Sequence, residues 1–244
     1  MKKLLLTTVI ICLAITTVNA QWWSSEEKIK GNGEVVTKSR KTSDYDKVSL
    51  TGFMDVILIK GKEGNLEIEA ESNLQKYIIT EVKGGQLKIK VQKGVNLIPS
   101  RNNSVKIKVP FEDLEEVSIT GSGDIWNEDK ITANNFELSI TGSGDIVLDI
   151  EADKIKGNVT GSGDVVLKGM ASYLDCKVTG SGDFDAFKLK TNTVDAQVSG
   201  SGDINVFAEE ELNAKVLGSG DVTYKGNPTK ENFKTFGSGD ISKY

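Results

Sequence analysis

The tetrapeptide Gly-Ser-Gly-Asp occurs seven times in the second half of this chain, and its spacing restricts the fold more than any other feature. The copies begin at Gly121, Gly142, Gly161, Gly180, Gly200, Gly218 and Gly237, so the steps are 21, 19, 19, 20, 18 and 19 residues. A period close to twenty marks one supersecondary unit stacked on copies of itself. Two residues before the first glycine stand Ile119, Ile140, Val159, Val178, Val198, Val216 and Thr235. Four residues before it stand Val117, Leu138, Gly157, Cys176, Ala196, Ala214 and Phe233, with polar residues between the two columns. Alternation resumes after the turn at Ile125, Ile146, Val165, Phe184, Ile204, Val222 and Ile241. Period two on both sides of the turn predicts strands with one buried and one wet face. Each unit therefore reads as strand, four-residue turn, strand and a short polar return. The glycines at both ends of the turn are expected to supply positive φ, and the aspartate to accept backbone amides as in an Asx turn.

A meander would send identical turns alternately to opposite ends of a sheet. A parallel stack keeps them in register along one edge, with the apolar columns filling the interior. The unit is about half of the ~40 residues that a propeller blade needs. The expected fold is all-β: a parallel β-helix or solenoid of ~19-residue rungs, right-handed by the rule for parallel crossovers. In the column four residues before the turn, Gly157, Cys176, Ala196 and Ala214 are small. Either the coil narrows there or a bulky residue enters from another face. Cys176 reads as an apolar filler of that column and not as a reactive thiol.

Thr51-Gly52-Phe53-Met54-Asp55-Val56 matches Thr141-Gly142-Ser143-Gly144-Asp145-Ile146 at threonine, glycine, aspartate and the β-branched residue. Gly52–Asp55 is thus expected as a degenerate first rung, with Phe53 and Met54 packing over the helix end. Further alternating strands run through Leu66, Ile68 and Ala70, through Leu87, Ile89 and Val91, and through Val105, Ile107 and Val109. Gly84-Gly85 marks a turn, Asn73 a cap for a short helix through Tyr77, and 92–104 a loop. Thr235 and Lys243 replace apolar residues in the last rung and blunt its edge.

Lys2 and Lys3, the apolar run Leu4–Ala14 and Val18-Asn19-Ala20 read as a signal peptide over 1–20, cleaved after Ala20. The protein is then exported to the periplasm, cell surface or medium, with no stable membrane insertion. Residues 21–44 are expected as a flexible segment, with Trp22 and Trp23 in a loose tail. Residues 45–244 form one domain, with a capping part over 45–110 and seven regular repeats over 111–244. Past the cleavage site only Cys176 remains, so no internal disulfide can staple the fold. Losing Lys2 and Lys3 leaves 28 basic against 35 acidic residues, a net charge of −7 with no basic block. Nucleic acid is therefore a poor partner. The chain has no histidine, which removes the commonest general base and transition-metal ligand.

The chemistry-bearing column is Asp124, Asp145, Asp164, Asp183, Asp203, Asp221 and Asp240. At one rung per ~4.8 Å, neighbouring carboxylates repel by roughly 1 kcal/mol in a water-like medium. Backbone capping by each carboxylate relieves this without any cofactor, and calcium bridging the rungs is the alternative. Thr120, Thr141, Thr160 and Thr179 give one threonine per rung and then yield to Ser199, Leu217 and Phe236, which does not make the flat two-column array of an ice-binding face.

The degenerate first rung, the strand Leu87-Lys88-Ile89-Lys90-Val91 and the repeated Gly-Ser-Gly-Asp-Ile resemble a secreted bacterial family of autotransporter adhesins with a head GIN domain, found widely in Bacteroidota. The resemblance covers residues 45–244. It implies a right-handed parallel β-helix without an established biochemical activity. The expected function is a non-catalytic cell-envelope or surface protein that binds glycan or protein along a repetitive face. The alternatives are a purely structural envelope spacer and, further off, a polysaccharide-degrading β-helical enzyme. Catalysis is disfavoured because a catalytic site should break the repeat, and these turns are nearly identical.

Overall fold

A computed structural model describes residues 26–244. The signal-peptide expectation for 1–20 and the tail bearing Trp22 and Trp23 lie outside the described residues. Within them the protein is nearly all β, a solenoid of about seven turns.

The regular stack consists of β10 (Glu116–Gly121), β11 (Ile125–Asn127), β12 (Ile131–Gly142), β13 (Ile146–Gly161), β14 (Val165–Gly180), β15 (Phe184–Gly200), β16 (Ile204–Gly218), β17 (Val222–Lys225), β18 (Lys230–Gly237) and β19 (Ile241–Lys243). Every pairing among them is parallel, and Gly121, Gly142, Gly161, Gly180, Gly200, Gly218 and Gly237 stand opposite one another rung by rung. The four middle returns are not loops. In β13, β14, β15 and β16 the strand continues through them to the next turn. A polar return in a solenoid still has neighbours above and below, so its amides and carbonyls join the ladder and bend without leaving it.

The two glycines of the turn are needed for different reasons. The first has φ between 124° and 144° in all seven copies, and a Cβ there would lie 2.0–2.3 Å from the carbonyl oxygen of the glycine in the preceding rung. The second is not in the left-handed region, contrary to the expectation of positive φ at both ends. Its Cβ would point inward, 1.9–2.1 Å from the carbonyl oxygen beneath it. The first glycine thus answers to backbone conformation and close approach, the second to close approach alone.

The apolar columns meet inside. Val117, Ile119, Ile146, Leu148, Val178, Val198 and Val216 are all buried. The small column is filled from across the coil: the Phe184 ring occupies the space over Gly157, where an added Cβ would lie 2.4 Å from its Cε2. Cys176 is fully buried and unpaired, and burial pushes its thiol well up from the usual range. That supports its reading as filler.

Two further strands continue the stack toward the N-terminus: β3 (Lys47–Gly52) and β4 (Asp55–Lys60). β3 pairs with β10 so that Gly52 faces Gly121 and Thr51 faces Thr120, which makes Gly52–Asp55 a true rung. It is not the terminal one. Beneath it lie β7 (Gln86–Val91), parallel to β3, and β9 (Lys106–Phe111), parallel to β4. Met54 takes the place of an inward glycine and is fully buried. No matching turn lies beneath it, because β7 and β9 are separated by residues 92–105.

The end is closed by antiparallel strands: β5 (Asn65–Glu71) on β9, β6 (Ile78–Lys83) on β7, and β2 (Val35–Lys41) on β5. Two expectations are corrected here. Within 21–44, residues 27–30 and 35–41 are strands. Within 92–104, β8 (Val95–Ile98) pairs with β1 (Glu27–Lys30). Both segments lack strong alternation because they are surface strands whose order comes from pairing. Asn73 does not cap the 3-10 turn Gln75–Tyr77. Its side chain accepts from the Asn32 amide at 3.1 Å and donates to the Lys30 carbonyl at 2.7 Å. Arg40 caps that turn from the other end, donating to the carbonyls of Gln75 and Ile78.

Candidate functional site

The turn edge is the first surface that repetition builds. In each rung the first glycine's carbonyl accepts two amides from the next turn, as when Ser143 and Gly144 donate to Gly121 at 2.8 and 3.2 Å. The aspartate amide has no carbonyl opposite it. The preceding aspartate's carboxylate fills that place: Asp145 donates to Asp124 Oδ1 at 2.9 Å, Asp164 to Asp145, Asp183 to Asp164, Asp203 to Asp183, Asp221 to Asp203 and Asp240 to Asp221. The Asx turn expected within one unit is in fact a bond between units. All seven predicted aspartates come together on one edge, and Asp55 extends them downward. Burial raises the Asp55 carboxyl first, and the neighbouring Asp124 carboxylate raises it further.

This arrangement bears on calcium. One oxygen of each carboxylate in the bonded series is committed to a backbone amide, leaving one free per rung. Calcium takes six to eight oxygens, and among the described residues no three histidine, cysteine, aspartate or glutamate groups gather closely enough to hold a metal. The donor set fits backbone capping and does not fit a bridging cation.

The second surface is a groove that runs across the rungs. Its floor is the in-register column Ala133, Ala152, Ala171 and Thr191. Small side chains at four consecutive rungs leave a trough between the flanking rows. Two concavities of about 630 and 650 Å³ share Thr132, Ala133 and Asn134 and form one groove. Asn134, Asn192, Ser172 and Glu151 stand along it, with Met170 exposed at its side. Seven carboxylates line it against two lysines, Lys47 and Lys190. The groove is therefore acidic and rich in amide and hydroxyl groups.

The third surface is a smaller concavity of about 310 Å³ beside the first two regular turns, lined by Asp124, Trp126, Asn127, Asp145, Val147, Asp149 and Lys168. Neither it nor the groove is marked by a motif in the sequence, where the repeat identifies only the turns. One signal was present: the 21-residue step from Gly121 to Gly142 is the longest of the six, and it contains Trp126 and Asn127.

Comparison with known proteins agrees with this architecture. A protein from Bacteroides fragilis described as a "putative adhesin" is 26% identical, with 88% of this chain and 100% of that one covered and a TM-score of 0.84. A protein from Parabacteroides distasonis described as a "putative lipid binding protein" is 29% identical, with coverage of 89% and 100% and a TM-score of 0.74. An adhesin-described protein from Parabacteroides merdae, at 22% identity and a TM-score of 0.72, shares the fold. No curated protein matches the sequence. The model of the family described as "Putative auto-transporter adhesin, head GIN domain" matches residues 44–228, and the chain belongs to that family.

Proposed function

We propose that this protein is a non-catalytic, exported surface adhesin that holds an extended neutral or aminated polysaccharide along its axial groove. The observation that carries this reading is the groove itself. Its small-residue floor repeats from rung to rung and is flanked by Asn134, Asp153, Ser172 and Asn192, so it offers polar contacts at regular intervals to a polymer whose own units repeat. Amides, hydroxyls and carboxylates suit sugar hydroxyls, and the excess of carboxylates disfavours anionic polymers. The uniform turns support a binding and not a catalytic reading, as does the absence, among the described residues, of long loops to wall off a substrate. No helix among the described residues is long and apolar enough to cross a membrane.

The test is retention on immobilised polysaccharides, comparing the wild-type protein with Ser172→Trp, which places a large side chain on the groove wall without touching its floor. Neutral or amino-sugar polymers should retain the wild type, and the variant should lose most of that retention while keeping its melting temperature. No retention of a well-folded wild type by any such polymer would overturn the reading and leave the spacer role in its place.

A further inference from the structure

We infer that the concavity beside the Gly121 and Gly142 turns is a binding site for a single neutral or aminated hexopyranose ring, with Trp126 as its platform. The site lies where the repeat is broken. β11 ends at Asn127, whereas β13, β14, β15 and β16 run on through the return. Glu128 then donates to the Leu58 carbonyl at 3.0 Å, and Asp129 accepts from the Lys60 amide at 2.9 Å. The chain has left the rung above and bonds to the rung below.

That departure would leave Asp149 without its ladder partner. The Asn127 side chain replaces the missing strand: Oδ1 accepts from the Asp149 amide at 2.8 Å and Nδ2 donates to the Asp149 carbonyl at 2.7 Å. A side-chain amide has the same donor and acceptor as a peptide group, so the gap stays open with its backbone satisfied. The break is thus held in place by specific bonds, and the indole stands at its edge.

The walls define the ligand. Trp126 lies in register with Ile57 below and Val147 above, and Val147 with Val166. The column turns polar from Asp185 onward, so the apolar platform is confined to this end. Asp124 and Asp145 each use Oδ1 for a backbone amide, and their Oδ2 atoms accept no bond among the described residues. An apolar ring face beside free carboxylate oxygens matches a pyranose, which presents C–H groups on its face and hydroxyls at its rim. Asp124, Asp145 and Asp149 outnumber Lys168 and Lys130, which lie 3.4 and 3.9 Å from Asp149. Uronates, sulfated sugars and anionic lipid headgroups are therefore disfavoured, and the shallow space takes a ring and not an acyl chain. This site shares no residue with the axial groove and does not depend on it.

The full chain with Trp22→Phe and Trp23→Phe has Trp126 as its sole indole. Titrating it with glucose, galactose, N-acetylglucosamine, glucosamine, glucuronate and phosphatidylcholine vesicles reads this site by fluorescence. The expected result is a saturable change with at least one neutral or amino sugar below roughly 100 mM, at least about tenfold weaker with glucuronate. Adding Ser172→Trp to a parallel calorimetric titration should leave the affinity unchanged, whereas Trp126→Ala should lower it at least about tenfold. No saturable response to any pyranose, or a response to vesicles alone, overturns the assignment whatever the groove binds.

Discussion

The regular stack over 111–244 and the cap over 26–110 obey different rules although they share one core. In the stack each strand meets its neighbours in parallel and the turns stay in register, so one residue type serves one task at every turn. In the cap, β2, β5 and β6 run antiparallel to their partners, and order comes from individual side chains. Gln75 donates to the Val36 and Ile68 carbonyls at 2.9 Å each, and the Tyr45 hydroxyl donates to the Pro110 carbonyl. Repetition makes a fold whose requirements are visible many times over. A cap meets its requirements once, through contacts far apart in sequence.

The sharpest way to break this comparison is to place one substitution in each region. In Gly163→Ala the new Cβ would lie 2.1 Å from the Gly144 carbonyl oxygen, with rungs above and below that cannot yield independently. A loss of about 4 kcal/mol or more is expected, read by denaturant unfolding. Gly33→Ala meets nothing within 4 Å, although φ is +82°, and should cost only about 1–2 kcal/mol. Equal losses would show that stacking imposes no special demand.

Phe184→Ala comes next. It removes the ring that fills the hollow over Gly157 and should cost about 3–5 kcal/mol. Gly157→Leu should recover part of that loss in the Phe184→Ala background while destabilising the wild type, where the ring is in the way. Additive effects in the double variant would separate the two positions energetically.

Glu71 tests the cap. Burial alone would raise its carboxyl, but bonds from the Ser100 hydroxyl and amide and from the Gly33 amide bring it below the ordinary glutamate range. A carboxyl held low in the folded state adds stability above its unfolded pKa of about 4.3, and that stability is lost as pH falls through the lower folded value. Glu71→Gln should cost about 2 kcal/mol at neutral pH and flatten this acid-side slope. Hydrogen exchange should quicken in β1, β2 and residues 99–103 while the stack stays protected. Uniform loosening of both regions would contradict the separation.

The smallest effects belong to the turn edge. Asp183→Ala leaves the Asp203 amide without its acceptor and should cost about 1 kcal/mol. Asp183→Asn keeps an oxygen there and should cost less. Asp240 accepts no amide from a further rung among the described residues, so Asp240→Ala should be close to neutral. A large melting-temperature rise in millimolar calcium, abolished by Asp183→Asn, would instead restore a bridging metal.

The aspartates were legible as one column, but not what they bind. Sequence offers each amide its own turn as the nearest partner, whereas the partner lies 18 to 21 residues away. Asn73 misled for the same reason: it resembles a cap locally, yet it bonds to Lys30 and Asn32 about forty residues upstream. Trp126 and Asn127 carry no motif of their own, because their significance lies in a departure from the repeat.

The sequence by itself determined the rung, its period, its inward and outward faces, the buried state of Cys176 and the hidden copy at Gly52. Those follow from alternation and spacing, which are properties of adjacent residues. The tertiary structure decided why the second glycine is required, which residue fills the hollow at Gly157, how the N-terminal end is closed and where the concave surfaces open. Each depends on the distance between backbones that the chain brings together only on stacking, and no local pattern encodes that distance.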